Sequence, residues 1–390
     1  METNLMQSQS GPLSGYTVIE LAGIGPGPYA GQLLADMGAQ VILVERPGSG
    51  GLTGGVPMID RRGKTSLVLD LRKDGAAEVL LKLVKRADIL IEGNRPGVTE
   101  RLGVGPKDCH AVNPKLIYGR MTGWGQTGPW AAMAGHDINY ISVTGALHAM
   151  GRKGELPFPP LNLVGDYGGG SLLLIMGLVA ALAKAEKTGV GDVVDAAIVD
   201  GTNSMMGIVH TMSGLGQWRK DRESNLLDGA MPYYRCYAAK DGKHMAVGCI
   251  EPQFFALMLD LLEINAAEFG GQNDPACHGA QHEKLADVFA QKNRDEWAAI
   301  FDGSDACVTP VLDYEEASEH PHLKARGAFQ RAGYFTHPAP APRFGGSQPE
   351  INTDIPVKGA QTFDILQQAG FSDEELSRAA NQGIIPGGDN

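Results

Sequence analysis

Cysteine is scarce. The five in 390 residues, Cys109, Cys236, Cys249, Cys277 and Cys307, are odd in number and widely scattered, and no C-x-x-C pair is present. Neither a disulfide framework nor a zinc ribbon fits that pattern, and a reducing compartment is expected. Positive charge is also short: 33 basic residues against 45 acidic ones leave a net charge of −12. That sign opposes binding to a nucleic-acid backbone or an anionic membrane surface, so neither is expected as a partner. Long apolar runs are missing as well. The longest, around 172–183, falls short of the roughly 20 residues that a bilayer requires. The opening METNLMQSQSG has no apolar signal core, and the terminal PGGDN is not a peroxisomal Ser-Lys-Leu address. The cytoplasm is the expected location.

What is present is glycine and periodic structure. Gly 53 and Pro 23 make up about a fifth of the chain, below the roughly 25–30% of low-complexity sequence, which places them in many tight loops. Strands are predicted over 16–21, 40–45, 66–71, 88–92 and 116–121, with amphipathic helical segments such as 75–86 between several of them. This alternation predicts βαβ units and a largely parallel sheet. The loops 23–27, 46–63, 93–97 and 122–135 follow strands, where open α/β sheets bind ligands. An apolar helix is expected over 171–187 and another over 199–213. A polar, Gly-containing stretch then precedes a hairpin at 233–239 and 244–250. The expected organisation is a large α/β domain (1–213), a linker (214–230), a small α+β domain (231–312), a second linker (313–328) and a segment (329–390) returning to the large domain.

Gly25-x-Gly27-x-x-Ala30 after the first strand, with Glu45 ending the second, formally matches a dinucleotide fingerprint. The fingerprint works by offering backbone N–H groups to a pyrophosphate, and Pro26 and Pro28 have none. A structural turn, with Pro28 as the first residue (N1) of a helix, is the preferred reading. His278 and His282 lie four apart beside Cys277 and Glu283, yet no H-E-x-x-H or distant ligand accompanies them, and no metal site is expected. Met205, Met206 and Met212 suit either a core or an adaptable apolar pocket.

Eight blocks, PLSGYTVIELAG (12–23), VERPG (44–48), LVLDL (67–71), RPGV (95–98), MTGWGQTGP (121–129), AGHDINY (134–140), LNLVGDYGGG (161–170) and AVGCIEPQF (246–254), resemble in order the class III CoA-transferase superfamily, most closely its α-methylacyl-CoA racemase branch. The resemblance implies a Rossmann-like large domain and a small domain in an interlocked homodimer. The active site would lie between the large domain of one subunit and the small domain of the other. An acyl-CoA thioester would be the substrate, with no cofactor beyond its own CoA moiety. His136 would be one catalytic base, paired with Glu251, and Asp166 the second. Helix-capping roles for His136 and Asp166 are the bland alternatives.

Arg46, Leu69, Asp70, Leu71, Arg72 and the run Gly135, Asp137, Ile138, Asn139, Tyr140 match segments that hold CoA in the superfamily. Arg95, Arg61, Arg62 and Lys64 are further phosphate candidates on chemical grounds, or else surface charges. The triple glycine 168–170 is expected to let thioester and backbone approach, with a helix beginning near Gly168 aiming N–H groups at an enolate. The implied activity is inversion at the α-carbon of 2-methylacyl-CoA by two-base proton transfer. The alternative is CoA transfer through an Asp166 mixed anhydride, which would not need His136 and Glu251. Branched fatty, sterol side-chain and arylpropionyl thioesters all remain open as substrates.

Overall fold

Short β-branched runs and the helices between them form a six-stranded, fully parallel sheet in the computed structural model, which describes residues 10–48 and 58–387. The first nine residues, the centre of the 46–63 loop and the end of the PGGDN tail lie outside the described residues. The strands are β1 (Thr17–Leu21), β2 (Gln40–Glu45), β3 (Lys64–Val68), β4 (Ile89–Glu92), β5 (Ile117–Thr122) and β6 (Asp192–Ala197), in the order β3-β2-β1-β4-β5-β6. Successive side chains alternate between two cores. Ile19, Ile42, Val44 and Leu90 enter one, and Val18, Val41, Ile89 and Ile91 the other. Both faces are therefore covered, as parallel sheets require. Helix α1 (Pro26–Asp36) and the Leu173–Thr188 helix pack on one face. Helix α2 (Ala76–Val84) and the helices Thr362–Gln368 and Asp373–Asn381 pack on the other.

Two strand expectations need correction. β3 lies earlier than 66–71 because its pairing with β2 ends at Val68 opposite Glu45. The Asp70 N–H then bonds Ile384 O of the C-terminal segment at 2.9 Å, which draws the chain off the ladder. β6 was not anticipated: Asp192 and Asp195 interrupt its apolar pattern, as an edge strand allows. The predicted 171–187 helix begins earlier, as a π-helix (Leu163–Leu172) running into Leu173–Thr188. Together they make 26 residues that include an 18-residue stretch of mean hydropathy 1.7, long and apolar enough to cross a membrane by length and composition. Here Leu174, Leu178, Ala181, Leu182 and Ala185 of that helix are buried in the core that includes Ile117 and Ala196.

The chain divides into two units. The first comprises Met1–Thr144, Pro160–Met206 and Gly327–Asn390, and the second Gly145–Pro159 and Gly207–Arg326. Residues 145–159, expected in the large domain, instead join the second unit, where Arg152 pairs with Glu223 at 2.9 Å and Arg222 donates to His148 O. The second unit holds an antiparallel sheet of β7 (Tyr234–Ala238), β8 (His244–Gly248) and β9 (Val308–Val311). Its separate core is built on Met258, Leu285, Phe289, Trp297 and Phe301.

Beneath α1 the sheet carries an ion pair sealed from solvent. Lys64 Nζ lies 2.7 Å from Glu20 Oε2 and 2.9 Å from Pro28 O, and both side chains are at most 1% exposed. Burial pushes the Glu20 carboxyl up to about 7 against the pull of Lys64. Removing one member of such a pair strands the other. Lys64→Met should destabilise the fold by about 3–5 kcal/mol in urea titration. Adding Glu20→Leu should recover most of that loss, and a double variant no more stable than the single would refute the coupling.

Candidate active site

The carboxyl ends of the parallel strands collect most of the predicted site residues. Arg46 follows β2 and is exposed. Leu69, Asp70, Leu71 and Arg72 follow β3, the exposed Arg95 follows β4, and the loop to Gly135 and His136 follows β5. Strand order reverses between β1 and β4, the position where open α/β sheets form a ligand crevice.

His136 is exposed and occupies the N-cap position of the Asp137–Val143 helix. Its backbone N–H donates to Asn139 Oδ1 at 3.0 Å, so Asn139 secures the turn that presents the imidazole. The Tyr140 hydroxyl donates to Gly135 O, and its ring fills space that glycine leaves open. A Cβ at Gly123 would lie 2.0 Å from that ring, and one at Gly135 would lie 2.6 Å from it. Trp124 meets Tyr140 edge-on, with centroids 4.8 Å apart. The loop carrying His136 is thereby pinned at both ends.

Asp166 sits within the π-helix, beside the N-cap of α1. A Cβ at Gly25, whose φ is 73°, would lie 2.8 Å from Asp166 Oδ2. The Asp166 N–H donates to Asp137 Oδ1 at 2.6 Å. Burial, followed by the like charge of Asp137, pushes the Asp166 carboxyl up to about 6, while His136 opposes the rise. Burial and then the Asp166 charge also raise Tyr140, with Arg95 acting in the opposite direction. His136, Asp137, Tyr140 and Asp166 thus share one local field, which Arg95 reaches through Tyr140.

Several expectations change. The helix carrying Asp166 starts at Leu163, not near Gly168, and the Tyr167 N–H already bonds Asn162 O five residues back. The N–H groups of 168–170 consequently lie within the helix. Gly169 and Gly170 are buried against protein: added Cβ atoms would meet Thr202 Oγ1 at 2.6 Å and Pro26 Cβ at 3.2 Å. Their smallness serves helix packing rather than access for a thioester. Arg61, Arg62 and Lys64 are not surface phosphate ligands. Arg61 forks onto Glu45 at 2.8 and 2.7 Å, Arg62 is buried on Asp36 at 2.6 Å, and Lys64 is held by Glu20. Arg72 reaches back to Asp70 at 2.8 Å yet remains 63% exposed. Leu69 is buried and Leu71 half-buried.

Glu45, occupied by Arg61 and Ser66, has the partners of a structural carboxylate. Helix α1 starts at Pro26 rather than at Pro28, because Gly25 takes the N-cap, so among its first three positions only Gly27 carries a backbone N–H. Glu251 belongs to the second unit, at the N-cap of the Pro252–Leu261 helix, with an exposed side chain. His278 and His282 make hydrogen bonds to Gln272 O and Ala230 O. Met205 is 45% exposed and lies 3.4 Å from a Cβ position at Gly168, close to Asp166 in the chain. Sequence reasoning missed that the glycine loop itself borders Asp166, for which its Gly-Pro alternation was the available signal.

Residues 13–362 match CoA-transferase family III. The chain is 43% identical to an α-methylacyl-CoA racemase of Mus musculus, over 96% of its own length and 97% of the relative's. The same figures hold for an α-methylacyl-CoA racemase of Homo sapiens. Among solved structures, a CAIB/BAIF family protein from Brucella suis superposes with a TM-score of 0.81 at 25% identity, covering 93% of this chain and 100% of the other.

The raised Asp166 carboxyl carries a stability signature. Its folded state binds the proton more tightly than the unfolded chain does, so this group lowers stability as pH rises from about 4 through 6. Asp166→Asn should make the protein more resistant to urea than wild type at pH 8. That advantage should vanish by about pH 4, whereas an advantage equal at both pH values would place Asp166 at its ordinary value.

Proposed function

The chain belongs to CoA-transferase family III, and from that premise we propose that it inverts the α-carbon of 2-methylacyl-CoA thioesters, an isomerase reaction. The 43% identity to two α-methylacyl-CoA racemases across nearly the whole chain carries this reading. The local geometry supports it. An exposed imidazole and a carboxyl raised to about 6 act on each other across two helix starts. Histidine is the side chain best suited to proton exchange near neutral pH, and a carboxyl near 6 can both take and return a proton.

The thioester carbonyl acidifies the α-hydrogen and spreads the resulting charge as an enolate. One base removes the proton from one face and the acid opposite supplies a proton to the other. The proposed pair is His136 and Asp166. Glu251, contributed within a homodimer, is proposed to hold the His136 tautomer and stabilise the imidazolium. The reading needs no group beyond the CoA moiety of the substrate, with Arg46, Arg72 and Arg95 as phosphate partners and the backbone of 69–71 and 135–140 lining the cofactor path.

The homodimer is supported by an apolar stripe on the long helix. Leu172, Met176 and Val179, at helical spacing, are 51%, 63% and 37% exposed in the single chain. The five cysteines are free thiols, in keeping with the proposed cytoplasmic location.

In deuterated water, His136→Ala should exchange the α-hydrogen of only the enantiomer facing Asp166, and Asp166→Asn only that of its mirror image. Net inversion should fall by about 10²–10⁴-fold in each. A CoA-transferase would instead lose acyl exchange in Asp166→Asn, tolerate His136→Ala and incorporate no α-deuterium. Equal exchange of both enantiomers by both variants would refute the two-base assignment.

A further inference from the structure

The helix that presents His136 and the helix that carries Asp166 are joined by one side chain. Asp137 Oδ1 accepts the Asp166 N–H at 2.6 Å, and the Gly165 N–H also stabilises that carboxylate. Asp137 is only 9% exposed, and its Oδ2 is buried without a hydrogen-bond partner among the described residues. The two turns touch so closely that a Cβ at Gly165 would lie 2.3 Å from Asp137 Oδ1 and 2.9 Å from Ile141 Cγ2. A buried carboxylate with one oxygen unsatisfied is costly, and the backbone bond alone does not require its charge. An asparagine could accept the same N–H.

We propose that Asp137 is a positioning residue for the proton transfer: its carboxylate clips the Asp166 backbone at a fixed place relative to His136 and sets a second negative charge beside the first. The proposal rests on the racemase reading, since it assigns a purpose to the paired charges. Around Asp166, Asp137 and His136 act from the neighbouring helix and Asn162 from its own. From α1 comes Tyr29, whose ring is tilted against Tyr167 with centroids 4.2 Å apart, and from the Ile198–Met205 helix the uncharged Thr202, which packs against Gly169. Tyr140 feels the Asp166 charge, and Arg95 reaches Tyr140. Asp137 is thus the one like charge acting on Asp166 among these groups. Without it, burial alone would hold the carboxyl up against His136 and Asn162, and the carboxyl would be a weaker base.

Asp137→Asn keeps the acceptor and removes the charge, whereas Asp137→Ala removes both. The substrate-free protein, labelled with [13C]aspartate, would be titrated by NMR, with the Asp166 resonance assigned through Asp166→Asn. In Asp137→Asn the Asp166 titration should move down from about 6 toward the ordinary carboxylate range. The acid limb of kcat for α-deuteration should move with it, while KM stays within about twofold. Asp137→Ala should lose a further ~10- to 100-fold in kcat, the scale of a misplacement of about 1 Å. An Asp166 titration unmoved in Asp137→Asn would overturn the charge role, and equal kcat in the two variants would overturn the clip. Should Asp137→Ala not fold, Asp137→Asn still decides through the titration and the pH profile. A wild-type protein that never exchanges the α-hydrogen would instead defeat the racemase reading, and the NMR titration would tell that failure apart from this one.

Discussion

Backbone-to-backbone approach at the π-helix is the constraint on which the candidate site depends. Gly201 faces Gly169 so closely that a Cβ there would lie 1.9 Å from Gly169 O, while Cβ atoms added at Gly165 and Gly170 would run into the side chains of Asp137 and of Ile198 and Pro26. A helix with hydrogen bonds five residues back is wider than an α-helix; such helices are rare and frequently sit at functional sites. Here its width brings Asp166 against the N-cap of α1 on one side and the first turn of the Asp137–Val143 helix on the other. Larger residues at the glycines would push those elements apart and carry the carboxyl out of the field that tunes it.

Within that field the opposing influences are neighbours in sequence. His136 and Asp137 leave the same helix start, one exposed and the other buried, and act on Asp166 with opposite sign. The exposed member can meet a ligand. The buried member retains its effect because little solvent screens it. A single turn of helix can in this way both expose an imidazole and adjust a neighbouring carboxyl.

Much of this was legible from residue order. The strands and their succession followed from β-branched runs because a parallel sheet buried on both faces needs continuous apolar segments, and the motif blocks marked His136 and Asp166. β6 escaped because Asp192 and Asp195 break the apolar pattern on an edge strand. The destinations of Arg61, Arg62 and Lys64 escaped for another reason. Their carboxylate partners Glu45, Asp36 and Glu20 are 16, 26 and 44 residues away in sequence, and only the packing of α1 and β3 tells an inward cation from an outward one. The GDYGGG run was misread because glycine signals close approach without saying what approaches. In this fold the partner is another helix.

The C-terminal segment seals the free side of β3: Ser66 N–H donates to the Gln361 side chain, Val68 N–H to Thr362 Oγ1, and Gly63 N–H to Asp354 O. Between β6 and that seal the chain builds most of the second unit, with its own core. On the ribosome, the parallel sheet must therefore wait with an unprotected edge until more than 150 further residues have emerged, while the inserted unit already has everything it needs to fold. An exposed strand edge invites pairing with other chains. The hazard in biogenesis thus falls on the larger unit, during the interval in which the smaller one is being synthesised.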